Sequence, residues 1–270
     1  MAVTNFIPQI WSASLLEAYQ ASRIVLPTVN TDYEGDAKIG NQVKITGFNT
    51  PTIVDYAAGA RSVTAEALTD STQTLLINQE KAFSFFVDDI DRAQVAGNLD
   101  AVTRDAGRAL AEDAENYVIG LLKAGTSTGT AAITSSDLAY SAVVGIRTAL
   151  AKAKVPNDER FLLVNPEFAS FMLGSASKLT SVDIAGDGEL RNGVLGRLLG
   201  FTVIESPLLT NGASKPAAIG YHKSAVSYAN QIDSVEALRH QTKFADVLRG
   251  LHVYGSKVTR ATGVQTYLSL

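Results

Sequence analysis

Residues 192–209 read NGVLGRLLGFTVIESPLL. Gly193, Gly196 and Gly200 punctuate an apolar turn that runs into the strand-like FTVIES and stops at Pro207. Glycines at this density let backbone segments approach closely, and the apolar residues between them need a covering surface. Nothing in the stretch titrates usefully or holds a metal, so its chemistry is packing.

Outward from it, helical and strand-like segments alternate. Upstream lie a helix over Asp137–Val155, with Leu138, Ala142, Ile146, Ala149 and Ala153 turned inward, and a short buried strand at Phe161–Val164. A helix with Pro166 at its first position runs from there through Met172, followed by a Gly/Asp-rich loop at Ser181–Glu189. Downstream comes a strand at Ala217–Tyr221. This alternation predicts a compact α/β unit.

Before that unit, Asn98–Lys123 carries Leu99, Val102, Ala106, Leu110, Ala114, Tyr117, Val118 and Leu121 at three- and four-residue spacing. This amphipathic stripe predicts a spine helix of roughly 39 Å stopped at Gly125. Thr126–Ser136 is small and polar, and reads as a linker. Earlier still, Val43, Ile45 and Gly47 alternate with Lys44, Thr46 and Phe48, and Leu75, Ile77, Phe83, Phe85 and Val87 take alternate positions within Thr74–Val87, with Leu76 and Phe86 on the other face. These are two strands of a ribbon. The intervening Pro51–Thr72 lacks periodicity and is too long for a hairpin turn, which marks a functional loop. A two-stranded ribbon is unstable alone in water, and little in the chain supplies it with a core. Residues 1–30 read as an arm with one helix over Ser12–Arg23, and Trp11 must dock on its own chain or on a neighbouring copy. After Asp233 the pattern returns to strands, Val235–Arg239 and Val247–Thr259, with Gly250 and Gly255 as bends or bulges. An α/β unit inserted between two parts of an α+β domain accounts for this order.

Composition narrows the function. The chain has 270 residues, is 46% hydrophobic, and carries 23 Lys+Arg against 27 Asp+Glu for a net charge of −4. Without a basic run it is not a sequence-reading nucleic-acid binder. It has no cysteine, which excludes disulfides and thiolate metal sites. It shows neither a signal peptide nor a membrane-length apolar run, which predicts a soluble chain made in the cytoplasm, with no membrane partner.

Candidate chemistry is sparse. Gly125-Thr-Ser127-Thr-Gly129 matches the nucleophile-elbow pattern of serine hydrolases, but follows a helix instead of a strand. Asp88, Asp89 and Asp91 lack the spacing of a calcium loop and read as acidic residues opening a helical turn. His222, His240 and His252 match no metal spacing and read as structural. GVLGRLLG precedes its strand and lacks the Lys-Ser/Thr of a phosphate loop. The expectation is no catalytic residue, no cofactor and no metal.

Four stretches in order, FIPQIWSASLLEAY, TLLINQEKAFSFFVDDIDRAQ, NGVLGRLLGFTVIESPLL and VEALRHQTKFADVLRGLHVYGSKVTRATGV, resemble the major capsid proteins of tailed bacteriophages, with the Hong Kong 97-like fold. The resemblance implies an α+β fold: an N-arm at 1–30, an extended loop at 31–82 lying across a neighbouring subunit, a peripheral domain from 83–128 and 230–270, and an inserted axial domain at 129–229. It implies hexamers and pentamers of this chain forming an icosahedral virion shell around double-stranded DNA held non-specifically. Portal protein and a separate scaffolding or decoration protein are the further partners. Trp11, Tyr56, Arg61, Phe83, Phe85, Asp183 and Asp187 are the subunit-interface candidates. Two departures from relatives stand out. The chain starts at the arm, which predicts a scaffold that is separate or already removed. The loop tip holds Arg61 and no lysine, with Lys38, Lys44 and Lys81 near the base, which predicts a shell without covalent cross-links. The alternatives are a bacterial encapsulin-type compartment, which resembles the same family, and a serine hydrolase using Ser127.

Overall fold

The computed structural model describes residues 23–34, 40–48, 52–56, 61, 65–67, 70–88, 100–173, 196–212 and 214–270. The expectations for the arm helix, Trp11, Leu99, Asp89, Asp91, Asp183 and Asp187 fall outside them.

Three sheets organise the described residues. Strands β1 (Gln42–Phe48) and β2 (Asp70–Leu76) form an antiparallel ribbon in which Val43 faces Leu75 and Ile45 faces Gln73. Strand β3 (Gln79–Asp88) is separate from β2, so Thr74–Val87 is not one strand but two, parted at Ile77-Asn78. It lies beside β10 (Ala245–Val258), which in turn pairs with β9 (Val226–Arg239), all antiparallel. The return to strands therefore begins at Val226, before Asp233. The register irregularity of the β9–β10 pair falls at Val253/Tyr254, not at Gly250 or Gly255. Those two glycines serve close approach instead: a Cβ at 255 would stand 2.2 Å from the Leu76 carbonyl oxygen.

The third sheet has the order β4-β11-β8-β5-β7-β6. Its strands are β4 (Thr126–Gly129), β5 (Arg160–Val164), β6 (Arg197–Leu198), β7 (Phe201–Glu205), β8 (Ala217–His222) and β11 (Val264–Leu268). Residues 126–129 are thus an edge strand running parallel to β11, where a linker was expected. Alternation along the central strands sorts side chains to two faces. Leu163, Ile219, Tyr221 and Val264 join Val118, Ile119 and Leu122 of the long helix α1 (Asp100–Lys123). Leu162, Val164, Val203 and Ala218 join Ala142, Val143 and Ile146 of α2 (Ser136–Lys152) and Phe168 of α3 (Pro166–Met172). Caps set both shorter helices: the Ser135 hydroxyl accepts from the Leu138 amide, and the Asn165 side chain from that of Phe168.

The helices form where periodicity places them, but rotated. On α1 the buried face is Thr103, Leu110, Ala111, Ala114, Glu115, Val118, Ile119 and Leu122, while Val102 is exposed. On α2, Leu138 is exposed and Ala139, Val143 and Leu150 are buried in place of Ala149 and Ala153. In NGVLGRLLG, Arg197-Leu198 and Phe201-Thr202 pair across a two-residue turn of Leu199 (φ 53°) and Gly200 (φ 86°). Positive φ at both turn positions matches the twist of a tight hairpin and needs glycine at the second. No atom lies within 4 Å of a Cβ built on Gly200, so its role is conformation and not close approach.

Candidate assembly surfaces

The ribbon is rooted in the body. Val43, Leu75 and Ile77 are buried against Ala229 and Val253, with Tyr33 and Ile45 alongside, so the expectation of a coreless ribbon fails at its base. Polar contacts fasten the same root: Lys257 Nζ donates to the Thr74 carbonyl at 2.8 Å, Gln73 Nε2 to that of Thr259 at 3.2 Å, and Gln231 Nε2 to that of Gly40 at 2.8 Å.

Beyond the strands the picture reverses. In the loop tip, Ile53 is 96% exposed and Tyr56 56%, with Val54 also open to water. The Thr52 amide donates to Glu66 Oε2 at 3.0 Å, and the Arg61 amide to the Tyr56 carbonyl at 3.0 Å, with Arg61 at φ 58°. The tip therefore brings Tyr56 and Arg61 together by a backbone bond while leaving large apolar side chains uncovered. Burying one such side chain is worth about 1.5–3 kcal/mol, so this end gains free energy from an outside surface.

Phe83 and Phe85 stack with centroids 6.1 Å apart and lie on the helix side of β3. Both are half-buried, and Phe83 packs on Leu110 and Ala111 of α1. They have more intrachain cover than their strand pattern suggested. The open aromatic is Phe86, which points to the other face in a row with Val247 and Leu238. Lys243 Nζ sits 4.8 Å from its ring centroid, and Phe244 beside that lysine is 80% exposed at the β9–β10 turn. A shallow groove of about 420 Å³ on this sheet is lined by Ala82, Ser84, Arg249 and Leu251. Phe244 escaped the sequence reading, although an aromatic inside the polar turn QTKFAD was a usable signal.

The residues weighed for chemistry have structural partners. The exposed Ser127 hydroxyl donates to the Gly129 carbonyl at 3.4 Å on edge strand β4, not on a strand-to-helix elbow. Asp88 ends strand β3 opposite Ala245, and the helical turn expected after it falls outside the described residues. His222 Nδ1 accepts from the Ser224 amide at 3.1 Å, and His240 Nδ1 from the Thr242 amide at 3.1 Å. His252 is fully buried, its Nε2 3.3 Å from the Tyr228 hydroxyl, and burial lowers its pKa to about 4 against the opposing pull of Asp113. Among the described residues no group of three or more His, Cys, Asp or Glu is placed to hold a metal ion, and no helix is long and apolar enough to cross a membrane.

One buried charge was missed. Glu115, 2% exposed, lies on the apolar face of α1 and accepts from the amides of Ile24 and Val25. Burial raises its carboxyl pKa, opposed by those amides and by Arg23. A stripe drawn through Ala114, Val118 and Leu121 passes beside position 115. Rotated one residue to end at Leu122, it runs through it.

Comparison with known proteins gives concordant results. A family model described as a phage capsid protein matches residues 71–267. A search of curated proteins matches nothing. Among solved structures, a chain of Mycobacterium phage Che8 is 44% identical over 91% of this chain and 90% of its own, with a TM-score of 0.81. The capsid of the Cyanophage P-SCSP1u is similar at 15% identity, over 90% of this chain and 86% of its own (TM-score 0.71). The virus-like particle from Pyrococcus furiosus is similar at 13% identity, over 97% and 99% (TM-score 0.64). The last two likenesses concern the fold alone.

Proposed function

The chain belongs to the phage capsid protein family, and we propose that it builds an icosahedral shell of hexamers and pentamers in which each ribbon tip lies across a neighbouring subunit. The fold is the α+β, Hong Kong 97-like one, the protein is a major capsid protein, and its place is the virion capsid. The observation that carries the finer reading is the contrast along one ribbon, buried at Val43, Leu75 and Ile77 and open to water at Ile53, Val54 and Tyr56. A segment rooted in the body but apolar at its far end is complementary to a surface outside its own chain.

In this reading residues 1–30 are an N-arm, 31–82 the extended loop, 83–128 with 230–270 the peripheral domain, and 129–229 the axial domain whose Asp183 and Asp187 loop meets its copies around the symmetry axes. Trp11 docks on a neighbour. The chain is made in the host cytoplasm and assembles there with a portal protein and a scaffolding or decoration protein. The shell encloses double-stranded DNA without reading it, as a net charge of −4 and the lack of a basic run suit. Its role is structural.

An encapsulin-type compartment is the second reading. The likeness to the Pyrococcus furiosus particle bears on the fold alone, whereas the 44% identity is to a phage chain, which favours the viral role. Negative-stain microscopy of the chain purified from an expressing cell is expected to show closed hollow shells, and a population of compact monomers at assembly concentration refutes the proposal. Co-purification of a single protein cargo inside those shells would move the assignment to the compartment.

A further inference from the structure

The first residues described, Arg23–Asn30, are fastened to the body at successive points. The Asn30 amide donates to the Val226 carbonyl at 3.0 Å and the Tyr228 amide to the Asn30 carbonyl at 2.8 Å, tying residue 30 to the start of β9. The Thr28 hydroxyl meets the Tyr221 hydroxyl of β8. Val25, Leu26 and Val29 are buried in the core shared with α1. A further fastening is of a different kind. Val25 opens the 3-10 turn Leu26–Thr28 with no cap from its own side chain, and the cap comes from 90 residues away. Glu115 Oε1 accepts from the Val25 amide at 2.7 Å and from the Ile24 amide. A carboxylate at the amino end of a turn is favoured by the unpaired amides there.

We propose that Glu115 is the positioning residue that sets where residues 1–22 leave the body, holding their root against the middle of α1 so that each arm starts from a fixed point on the shell lattice. The proposal rests on the reading of those residues as an arm that reaches a neighbour. Its physical basis is that a carboxylate on a buried helix face fixes the place of the two amides it accepts from. Here the carboxylate sits among Ala111, Ala114, Val118 and Ile119, where the buried Val25 amide would be left unsatisfied without it. Beside it, half-exposed Ile24 lines a pocket of about 310 Å³ with Arg108, Glu112, Ser206, Pro207 and Leu208, so the exit lies at the surface of the helix and not inside the core.

The test uses three full-length variants. Glu115→Met keeps the volume and removes both acceptors; Glu115→Gln keeps an acceptor oxygen; Glu112→Ala removes an exposed carboxylate one turn away. For Glu115→Met the expected result is a lowered unfolding midpoint, hydrogen exchange at the Ile24 and Val25 amides faster by roughly tenfold, and irregular or absent shells. Glu115→Gln should restore slow exchange and regular shells, and Glu112→Ala should behave as wild type. Because the chain has no cysteine, a spin label at Ala21→Cys reports arm mobility directly, and its spectrum should sharpen in Glu115→Met alone. Regular shells from Glu115→Met, or arm amides that stay protected in it, overturn the proposal. Loss of shells that tracks a lowered unfolding midpoint in both Glu115 variants overturns it too, because the residue is then merely structural. Deleting residues 1–22 tests the underlying reading separately: normal shells from that deletion sink the arm assignment while leaving the exchange result standing as a fact about the turn.

Discussion

The ring of Phe83 lies over Gly250, where an added Cβ would stand 2.3 Å from Cε1 and 2.7 Å from Cζ. Phe83 on β3 and Gly250 on β10 are register partners, and the missing side chain at 250 is what lets the ring lie flat on the sheet beneath Leu110 and Ala111 of α1. Gly250→Ala should therefore destabilise the subunit by about 1–3 kcal/mol through overpacking, measured by denaturant unfolding. Shrinking the ring in the same chain, Gly250→Ala with Phe83→Leu, should recover part of that loss as a favourable coupling of about 0.5–3 kcal/mol. Strict additivity of the two substitutions would show that the ring does not occupy that space.

His252 predicts a pH dependence. Its imidazole is buried between Tyr228 and Tyr254, with pKa lowered from 6.5 to about 4. A base whose folded pKa is depressed stays neutral in the fold while the unfolded chain takes up a proton. Its stability contribution is thus complete above pH 6.5 and is lost as pH falls toward 4. Replacing it with phenylalanine, His252→Phe, should reduce the slope of unfolding free energy over that window by up to about 1.4 kcal/mol per pH unit. An unchanged slope would mean that the ring titrates normally.

Removing the loop tip, residues 52–68, should leave a folded subunit that no longer closes regular shells. The root core of Val43, Leu75, Ile77, Ala229 and Val253 is untouched by that deletion, and the exposed side chains of Ile53, Val54 and Tyr56 are lost. Circular dichroism and microscopy of the same preparation read the two outcomes apart, and normal particles from the deletion would contradict the bridging role.

Boiled in detergent, mature particles should release one band near 28.6 kDa. The chain has no cysteine for disulfides, and the tip offers Arg61, whose guanidinium remains protonated and cannot attack an amide as a deprotonated lysine can. A ladder of oligomers surviving that treatment would show that Lys44, Lys81 or another lysine reaches a partner.

Much of the fold was legible because long periodic segments announce themselves. Both main helices, the FTVIES strand and β10 stand where spacing puts them, whereas β9 begins at Val226, nine residues before the expected Val235, and β11 was not anticipated. What periodicity could not set was the rotation of each helix about its axis. Ala139 and Val143, not Leu138, face the sheet in α2, because the buried arc is decided by the neighbour it meets, and small residues there let the helix approach Gly220, whose added Cβ would stand 2.3 Å from Ile146 Cγ2. The same one-residue rotation on α1 hid Glu115, and β4 was hidden because TSTG has no apolar alternation to mark an edge strand. Phe83 and Phe85 were legible as strand residues on one face, but Phe83 was not legible as a partner of α1, since a strand pattern does not name what covers it. Tyr56 and Arg61 were legible as tip residues, while the backbone bond between them depends on a positive φ at an arginine that no propensity foretells.

The central claim is that the ribbon reaches from one body to the next, and a cryo-electron microscopy reconstruction of shells assembled from the full chain tests it most directly. The account predicts closed icosahedral particles in which continuous density runs from β1 and β2 to a tip whose Ile53, Val54 and Tyr56 lie within van der Waals contact of a neighbouring subunit. Closed particles in which those three side chains face solvent, with the tip folded back on its own subunit, would contradict it.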